Sequence, residues 1–245
     1  MGNQRIISID SIQESKKYLD QLDEHSLVLF DVDGVLTVPN EPALHHSNFG
    51  KFRHIYKELT ASLAFDEKVN LKHFFIGGSS SLIEQEVKLV IESLQNKQIP
   101  TYAFTAAFPG RLQDDLEPFH TLRYQILKDL GIDFAINAIA NFEFQTCASY
   151  KETFPGVHEG IVYAAGRVNG KDEVLRAFLE RLTQIEKVLF FEDSSKHLDS
   201  VSTLLSEEYP SIELLGFDYR GKQYLPQKRI DEEEFSSFLR SADVS

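Results

Sequence analysis

The sequence predicts an α/β protein with a central, mostly parallel sheet. Short apolar runs alternate with helical patterns along most of the 245 residues, which is typical of a parallel sheet with helices on its faces. The runs are compact and apolar throughout, as expected for strands that are buried on both sides. With 42% hydrophobic and 26% charged residues, the chain fits a single globular domain, 1–245, that carries an insert.

Five apolar runs are the predicted core strands of this sheet. They are Leu27–Phe30, Thr101–Phe104, Ile161–Tyr163, Val188–Phe191 and Ile212–Phe217. The irregular stretch Asn141–His158 is predicted to hold a hairpin before the third of them.

Three stripes of apolar residues at helical spacing predict helices between the strands. The first stripe begins at Ile83, where Ser81 and Glu84 have the spacing of a capping box. The second runs over 112–130 and the third over 175–185. Near the end of the chain, the acidic run 231–234 predicts the first turn of a terminal helix.

The stretch between the first and second core strands is too long for a simple crossover. Residues 39–98 hold apolar side chains at helical spacing and predict a mostly helical insert. The core would then comprise about 24–38 and 99–240. Phe74–Ile76 are either a short strand or the buried approach to Gly77.

Charge limits the range of partners. The chain has 25 Lys and Arg against 38 Asp and Glu, a net charge of −13, whereas a nucleic acid polymer requires a dense basic face. We therefore expect no nucleic acid partner. A phosphorylated small molecule stays compatible, because one cation and a few aimed donors override the global charge within a pocket.

Location and redox chemistry follow from what the sequence lacks. No run approaches the ~18 apolar residues of a membrane span, and Met1–Ile6 carry no pattern for export or myristoylation. We therefore expect a cytoplasmic protein that does not bind membranes.

Cys147 is the only cysteine, so no intramolecular disulfide forms, and we expect an ordinary small thiol there. The oligomeric state is left open.

Two acids follow the first core strand directly. Asp31 and Asp33 would face the same side in extended geometry, and Gly34 would allow the chain to turn away. Ligands bind at the carboxyl ends of strands in open parallel sheets, and a divalent cation such as Mg²⁺ would relieve the repulsion between the acids. The alternative is that this Asp-x-Asp-Gly stretch is only a turn.

The segment from Leu27 to Thr37 resembles motif I of the haloacid dehalogenase (HAD) superfamily, and three further motifs follow in order. Thr105 closes the second strand, Lys171 opens a later helix, and Glu192-Asp193 follow the fourth strand. The resemblance implies a HAD-like Rossmannoid three-layer sandwich. Each later motif also has a structural interpretation: a loop or helix-cap hydroxyl, a solvated lysine and acids that cap a helix.

The resemblance also implies a Mg²⁺-dependent phosphatase that acts on a phosphorylated small molecule. Asp31 would be the nucleophile and Asp33 the general acid, with Thr105 and Lys171 holding the phosphoryl oxygens. The ion would be held by Asp31, the main-chain carbonyl of Asp33, and Asp193.

The fourth motif departs from the usual pattern, because the second acid expected there is replaced by His197 and Leu198, and Asp199 comes one residue later. This departure keeps a second hypothesis open, a HAD-like binding or regulatory protein with negligible turnover. A third is a phosphotransferase or phosphomutase of the same superfamily. The departure in the fourth motif also leaves open whether Glu192, His197 or Asp199 assists metal binding. His45 and His46 are expected to be ordinary loop histidines.

Overall fold

The computed structural model describes residues 4–221 and 228–241. Residues 1–3, part of the segment considered for lipidation, lie outside these ranges. The described residues form an α/β fold around an eight-stranded sheet of order β1-β10-β9-β2-β5-β8-β7-β6. Pairing is parallel from β1 to β8 along this order and antiparallel for β8-β7 and β7-β6.

The sheet strands have the following bounds: β1 Gln4–Ile9, β2 Ser26–Phe30, β5 Thr101–Thr105, β6 Phe142–Glu143, β7 Gly156–His158, β8 Ile161–Tyr163, β9 Lys187–Glu192 and β10 Glu213–Tyr219. All five predicted core strands are confirmed, with ends that differ by one or two residues, and so is the hairpin before β8. The edge strand β1 was not predicted. Its side chains are largely half-buried or exposed, so it lacks the apolar run that marks the inner strands.

The helices are α1 Lys16–Leu19, α2 His46–Lys51, α3 Arg53–Ser62, α4 Phe65–Gly77, α5 Val87–Asn96, α6 Phe119–Asp129, α7 Lys171–Leu179, α8 Ser195–Glu208 and α9 Glu232–Ser241. Alternate residues of β2 point to opposite sides of the sheet. Val28 and Phe30 pack in a cluster with residues of α5 and α6, and Leu27 and Leu29 pack in a second cluster with residues of α7 and α8. The sheet is therefore covered by helices on both faces.

The stretch after β2 is mostly helical, as predicted. It begins with β3 (Thr37–Pro39), which pairs antiparallel with β4 (Ser80–Leu82), and α2, α3 and α4 lie between these two strands. Phe74–Ile76 are helical residues of α4, and Phe74 is exposed whereas Phe75 and Ile76 are half-buried, so both the short strand and the buried approach to Gly77 are wrong. Helix α5 follows, and its buried face packs on the main sheet. The terminal helix α9 is confirmed and packs on the α2 to α4 segment through Phe235.

Three helix boundaries differ from the prediction. Ser81 lies in strand β4 and α5 begins at Val87, so the capping box is wrong. Glu84 instead accepts a 2.7 Å hydrogen bond from the Tyr219 hydroxyl, a long-range contact that spacing does not indicate. Helix α6 begins only after Pro118, whose ring fixes its backbone, and the third predicted helix ends at Leu179.

Within the described part of the chain, no helix has both the length and the apolar composition needed to cross a membrane.

Candidate active site

The candidate site lies at the carboxyl edge of the sheet, where the chain leaves β2. Strand β2 lies between β9 and β5. In open parallel sheets, ligands bind at the carboxyl ends of the strands, at the point where the strand order reverses direction. The Asp31 amide donates a 2.9 Å hydrogen bond to the Phe191 carbonyl, which joins the ends of β2 and β9. Gly34 then adopts a φ of +97°, the conformation that turns the chain sharply away.

Three carboxylates converge at this edge. Asp31, Glu192 and Asp193 each offer an oxygen, and these oxygens all lie within 4.8 Å of one another. Asp31 is 7% exposed and Glu192 is fully buried, whereas Asp193 is half-buried. Residues separated by some 160 positions in sequence are brought together because β2 and β9 are adjacent and parallel.

Lys171 neutralises part of this charge. It is the first residue of α7 and is 2% exposed. Its Nζ donates to Asp31 Oδ1 at 2.8 Å, to Glu192 Oε2 at 2.6 Å and to the Phe104 carbonyl at 2.8 Å. These three bonds use all three ammonium protons. The interpretation of Lys171 as a solvated lysine is therefore wrong.

Glu192 is fixed on both of its oxygens. Oε1 accepts a 3.1 Å hydrogen bond from the Ser194 amide at the start of α8, while Oε2 faces Lys171. His197 Nδ1 lies 3.3 Å from the same Oε2. Glu192 therefore works mainly as a partner of Lys171 and an anchor of the α8 turn, which leaves Asp31 and Asp193 better suited to bind a ligand.

Burial and the neighbouring charges shift the pKa values of Asp31 and Lys171. Burial raises the pKa of Asp31 from 3.8 to about 7; Lys171 opposes the rise, and Glu192 and Asp33 add to it. Burial acts to lower the pKa of Lys171, but the carboxylates of Asp31 and Glu192 outweigh it and hold that pKa above its usual value. Lys171 is therefore a permanent cation, and Asp31 is the group that responds to a bound cation.

Asp33 has a different environment. Its side chain is 57% exposed, and both of its oxygens accept hydrogen bonds from Arg123 of α6, at 2.7 Å and 3.1 Å. Arg123 itself is buried. The Asp33 carboxylate is not part of the three-acid cluster, so only its main-chain carbonyl, as predicted, is a candidate ligand on that residue.

Thr105 ends β5, as predicted, and is buried. Its hydroxyl oxygen accepts a 3.1 Å hydrogen bond from the Ala107 amide, which leaves the hydroxyl proton available for donation. The next carbonyl back along β5, that of Phe104, is a partner of Lys171. Thr105 therefore sits one strand away from Asp31 at the same edge of the sheet.

The charges of the cluster favour a divalent cation. Like charges as close as these three carboxylates are costly in a largely buried site unless a cation joins them. All of the available donors are oxygens, which suits Mg²⁺. Asp31 and Asp193 would hold the ion, since Lys171 and Ser194 already occupy Glu192.

Arg123 is the site residue that sequence reasoning missed. Phe119, Arg123 and Leu127 are spaced four residues apart and are all buried. A cation in the middle of an apolar helical stripe is a signal that a buried partner exists, although the stripe does not identify Asp33. The Nε2 atom of His45, one of the two predicted loop histidines, lies 2.8 Å from the Pro39 carbonyl oxygen.

The sequence model of one family matches residues 8–239, and its description is a protein of unknown function (DUF2608). The chain belongs to this family. The match covers every element from α1 to β10 and all residues of the candidate site. No curated protein and no solved structure is significantly similar to the chain. Function must therefore be argued from the geometry of the site.

Proposed function

We propose that this DUF2608 protein is a HAD-like phosphohydrolase that cleaves a phosphate monoester of a small molecule through an aspartyl-phosphate on Asp31. The observation that carries the proposal is the convergence of Asp31, Glu192 and Asp193 around Lys171 at the carboxyl edge of a parallel sheet. The same motifs that resemble the HAD superfamily in sequence supply these residues.

The cluster fits Mg²⁺ because its donors are carboxylate oxygens that carry excess negative charge. Asp31, the Asp33 carbonyl and Asp193 would hold the ion. When bound, Mg²⁺ neutralises negative charge on the phosphoryl group and orients that group for attack.

Asp31 would act as the nucleophile. Lys171 binds Oδ1, so Oδ2 is the oxygen that would attack phosphorus, forming an O–P bond while the bond to the leaving oxygen breaks. Lys171 would hold a phosphoryl oxygen by exchanging one of its three present hydrogen-bond acceptors for it, and the Thr105 hydroxyl would hold another, during both displacements. Water then attacks the aspartyl-phosphate, which releases phosphate and regenerates the Asp31 carboxylate.

Asp33 would supply and recover the proton. Its exposed side chain stands at the mouth of the site and would protonate the leaving oxygen in the first displacement. The resulting carboxylate would take a proton from the attacking water in the second. Arg123 would aim this carboxyl group, and it must let one oxygen move for proton transfer.

The insert favours a small substrate. Val69 of α4 packs in one apolar cluster with Phe108, Phe119 and Ala165, which belong to the core segments beside β5 and β8. The insert therefore contacts the core beside β5 and β8, and an insert that folds over the site would exclude water and large ligands. The net charge of −13 further disfavours a nucleic acid polymer.

The test is release of p-nitrophenol from p-nitrophenyl phosphate with and without Mg²⁺. We expect hydrolysis that requires Mg²⁺ and that falls by about 10²-fold or more in Asp193→Asn, because the ion loses a ligand. Asp199→Asn is the matched control, since Asp199 is exposed on α8 and lies outside the acid cluster. Mg²⁺-independent turnover, or equal loss in both variants, would contradict the proposal.

One observation favours a second candidate, a binding protein with negligible turnover. Arg123 holds both oxygens of Asp33, an arrangement that suits a fixed structure better than a mobile acid. On this account, Mg²⁺ and phosphate bind but a broad panel of phosphate esters releases no phosphate. Calorimetric binding of Mg²⁺ without any hydrolysis would select this candidate.

A further inference from the structure

A second pocket lies beside the candidate site, between the insert and the core. It has a volume of about 220 Å³. Its floor is formed where β5 and β8 end: the Gly166 amide donates to the Ala106 carbonyl at 2.8 Å, immediately after Thr105. Strand β5 is the neighbour of β2, so the pocket lies beside the end of the strand next to the one that leads to Asp31. Helix α4 forms its wall through Lys72 and Ile76.

Two cations line this pocket in a strongly acidic protein, Lys72 on α4 and Arg167 after β8. A third, Lys151 in the loop before β7, lies close enough to Lys72 to affect its pKa. The pKa of Lys72 is lowered, first by burial and then by the positive charges of Arg167 and Lys151. Among the described residues, none of the three forms an ion pair with a carboxylate. The pocket therefore carries positive charge that no carboxylate within residues 4–221 and 228–241 neutralises through an ion pair.

Aromatic rings hold these cations in place. Lys72 Nζ lies 5.7 Å from the centre of the Phe119 ring. Arg167 lies 5.5 Å from the centre of the Tyr150 ring and donates a 3.0 Å hydrogen bond to its hydroxyl. Lys72, Arg167, Phe119 and Tyr150 all line the pocket. The pocket thus combines an apolar lining with two positively charged groups, a combination that suits an amphipathic anion.

The backbone around the pocket is also held in an unfavourable conformation. Lys151, Glu152 and Ala165 have φ values of +49°, +62° and +50°, a region that non-glycine residues rarely adopt. Such conformations persist where the surrounding structure imposes them, and they cluster at ligand-binding sites. Ala165 lines the pocket and Lys151 carries one of the three cations.

We propose that this pocket binds a second acidic group of the substrate, so that the substrate is a small phosphate monoester with an apolar or aromatic body and a further carboxylate or phosphate. The phosphate to be cleaved would sit at Asp31 and Lys171, and the second anion would bind Lys72 and Arg167. This inference rests on the proposed function, because it assigns the far end of the same substrate.

The test compares three aryl phosphates of similar size: phenyl phosphate, 4-carboxyphenyl phosphate and 1,4-phenylene bisphosphate. Release of inorganic phosphate gives kcat and KM for each with Mg²⁺ present. We expect KM to be about 10-fold lower or more for at least one compound with a second anion, because two cations bind it. The preference should decrease with added salt. The better of the two compounds with a second acidic group identifies that group as carboxylate or phosphate.

Variants of the cations then locate the effect. Lys72→Met and Arg167→Met should each reduce the KM preference by about 3-fold or more, and Lys72→Arg should restore it. Lys57→Met is the matched control, since Lys57 is an exposed lysine on α3 of the same insert. Arg167 is exposed, so its replacement tests the pocket even if the Lys72 variant fails to fold.

Hydrolysis of all three compounds with equal KM would overturn this inference and leave the phosphatase proposal standing. If none is hydrolysed, the phosphatase proposal fails. Calorimetry then decides the pocket: tighter binding of a compound with a second acidic group, lost in Arg167→Met, supports an anion pocket, and binding equal to that of phenyl phosphate overturns it.

Discussion

Asp31 and Asp33 are two residues apart on one chain segment, yet they have opposite environments. Asp31 is buried against the ammonium of Lys171, and burial raises its pKa to about 7. The Asp33 side chain is 57% exposed and is held by the guanidinium of Arg123. One carboxylate is thus shielded from solvent, whereas the other stands at the solvent boundary. Two different environments allow two identical residues to take two chemical roles.

Exchanging each carboxylate for an amide is the strongest way to break this comparison. Asp31→Asn removes the nucleophile, and we expect phosphatase activity to fall by at least about 10⁴-fold. Asp33→Asn removes only acid and base assistance, so we expect a loss of about 10² to 10⁴-fold on an alkyl phosphate. The Asp33 loss should shrink on p-nitrophenyl phosphate, whose leaving group needs no proton. Equal losses in both variants on both substrates would refute the assignment of separate roles.

Replacing Lys171, the cation beside the buried Asp31, should lower the free energy of unfolding. In Lys171→Met, Asp31 and Glu192 face each other without a counter-charge, and we expect the free energy of unfolding to fall by about 3–5 kcal/mol. Lys196→Met on the exposed surface of α8 is the control and should change stability by less than about 0.5 kcal/mol. Urea unfolding without metal measures both. Added Mg²⁺ should recover part of the lost stability; no difference between the variants would count against a buried ion pair.

The raised pKa of Asp31 predicts a pH dependence of metal-free stability. Between pH 4 and 7 the folded protein binds a proton on Asp31 that the unfolded chain, with a pKa near 3.8, has already lost. The Asp31 contribution to stability therefore decreases as pH rises through this window, by about 2–4 kcal/mol. The measurement is the difference in unfolding free energy between the wild type and Asp31→Asn at each pH. A difference that is constant, or that grows with pH, would contradict this environment for Asp31.

Replacing Arg123, the partner of the exposed Asp33, should have the smallest effect on the free energy of unfolding. Arg123→Met leaves Asp33 to be solvated by water, so we expect a loss of about 1–2 kcal/mol. Gln125→Met on the exposed face of the same helix is the control. Activity should decrease mainly in kcat, because Asp33 loses its orientation while phosphate binding is kept. A change confined to KM would instead place Arg123 in substrate binding.

The elements that sequence predicted best are those fixed by local chemistry. The inner strands were found because each is a continuous apolar run, and Lys171 was found because it opens a helix in a segment that resembles a HAD motif. Edge strand β1 escaped because half of its surface faces solvent. Arg123 and Glu84 escaped because their partners, Asp33 and Tyr219, lie 90 and 135 residues away in sequence. Pairings of this kind arise only from the tertiary fold.

The most direct test is a crystal structure of the protein soaked with Mn²⁺, which replaces Mg²⁺ at oxygen sites and gives an anomalous signal. We predict one anomalous peak at roughly 2.0–2.3 Å from carboxylate oxygens of Asp31 and Asp193. It should be absent from Asp193→Asn crystals. A structure in which Lys171 stays hydrogen-bonded to both Asp31 and Glu192, and the ion binds elsewhere or not at all, would contradict the account.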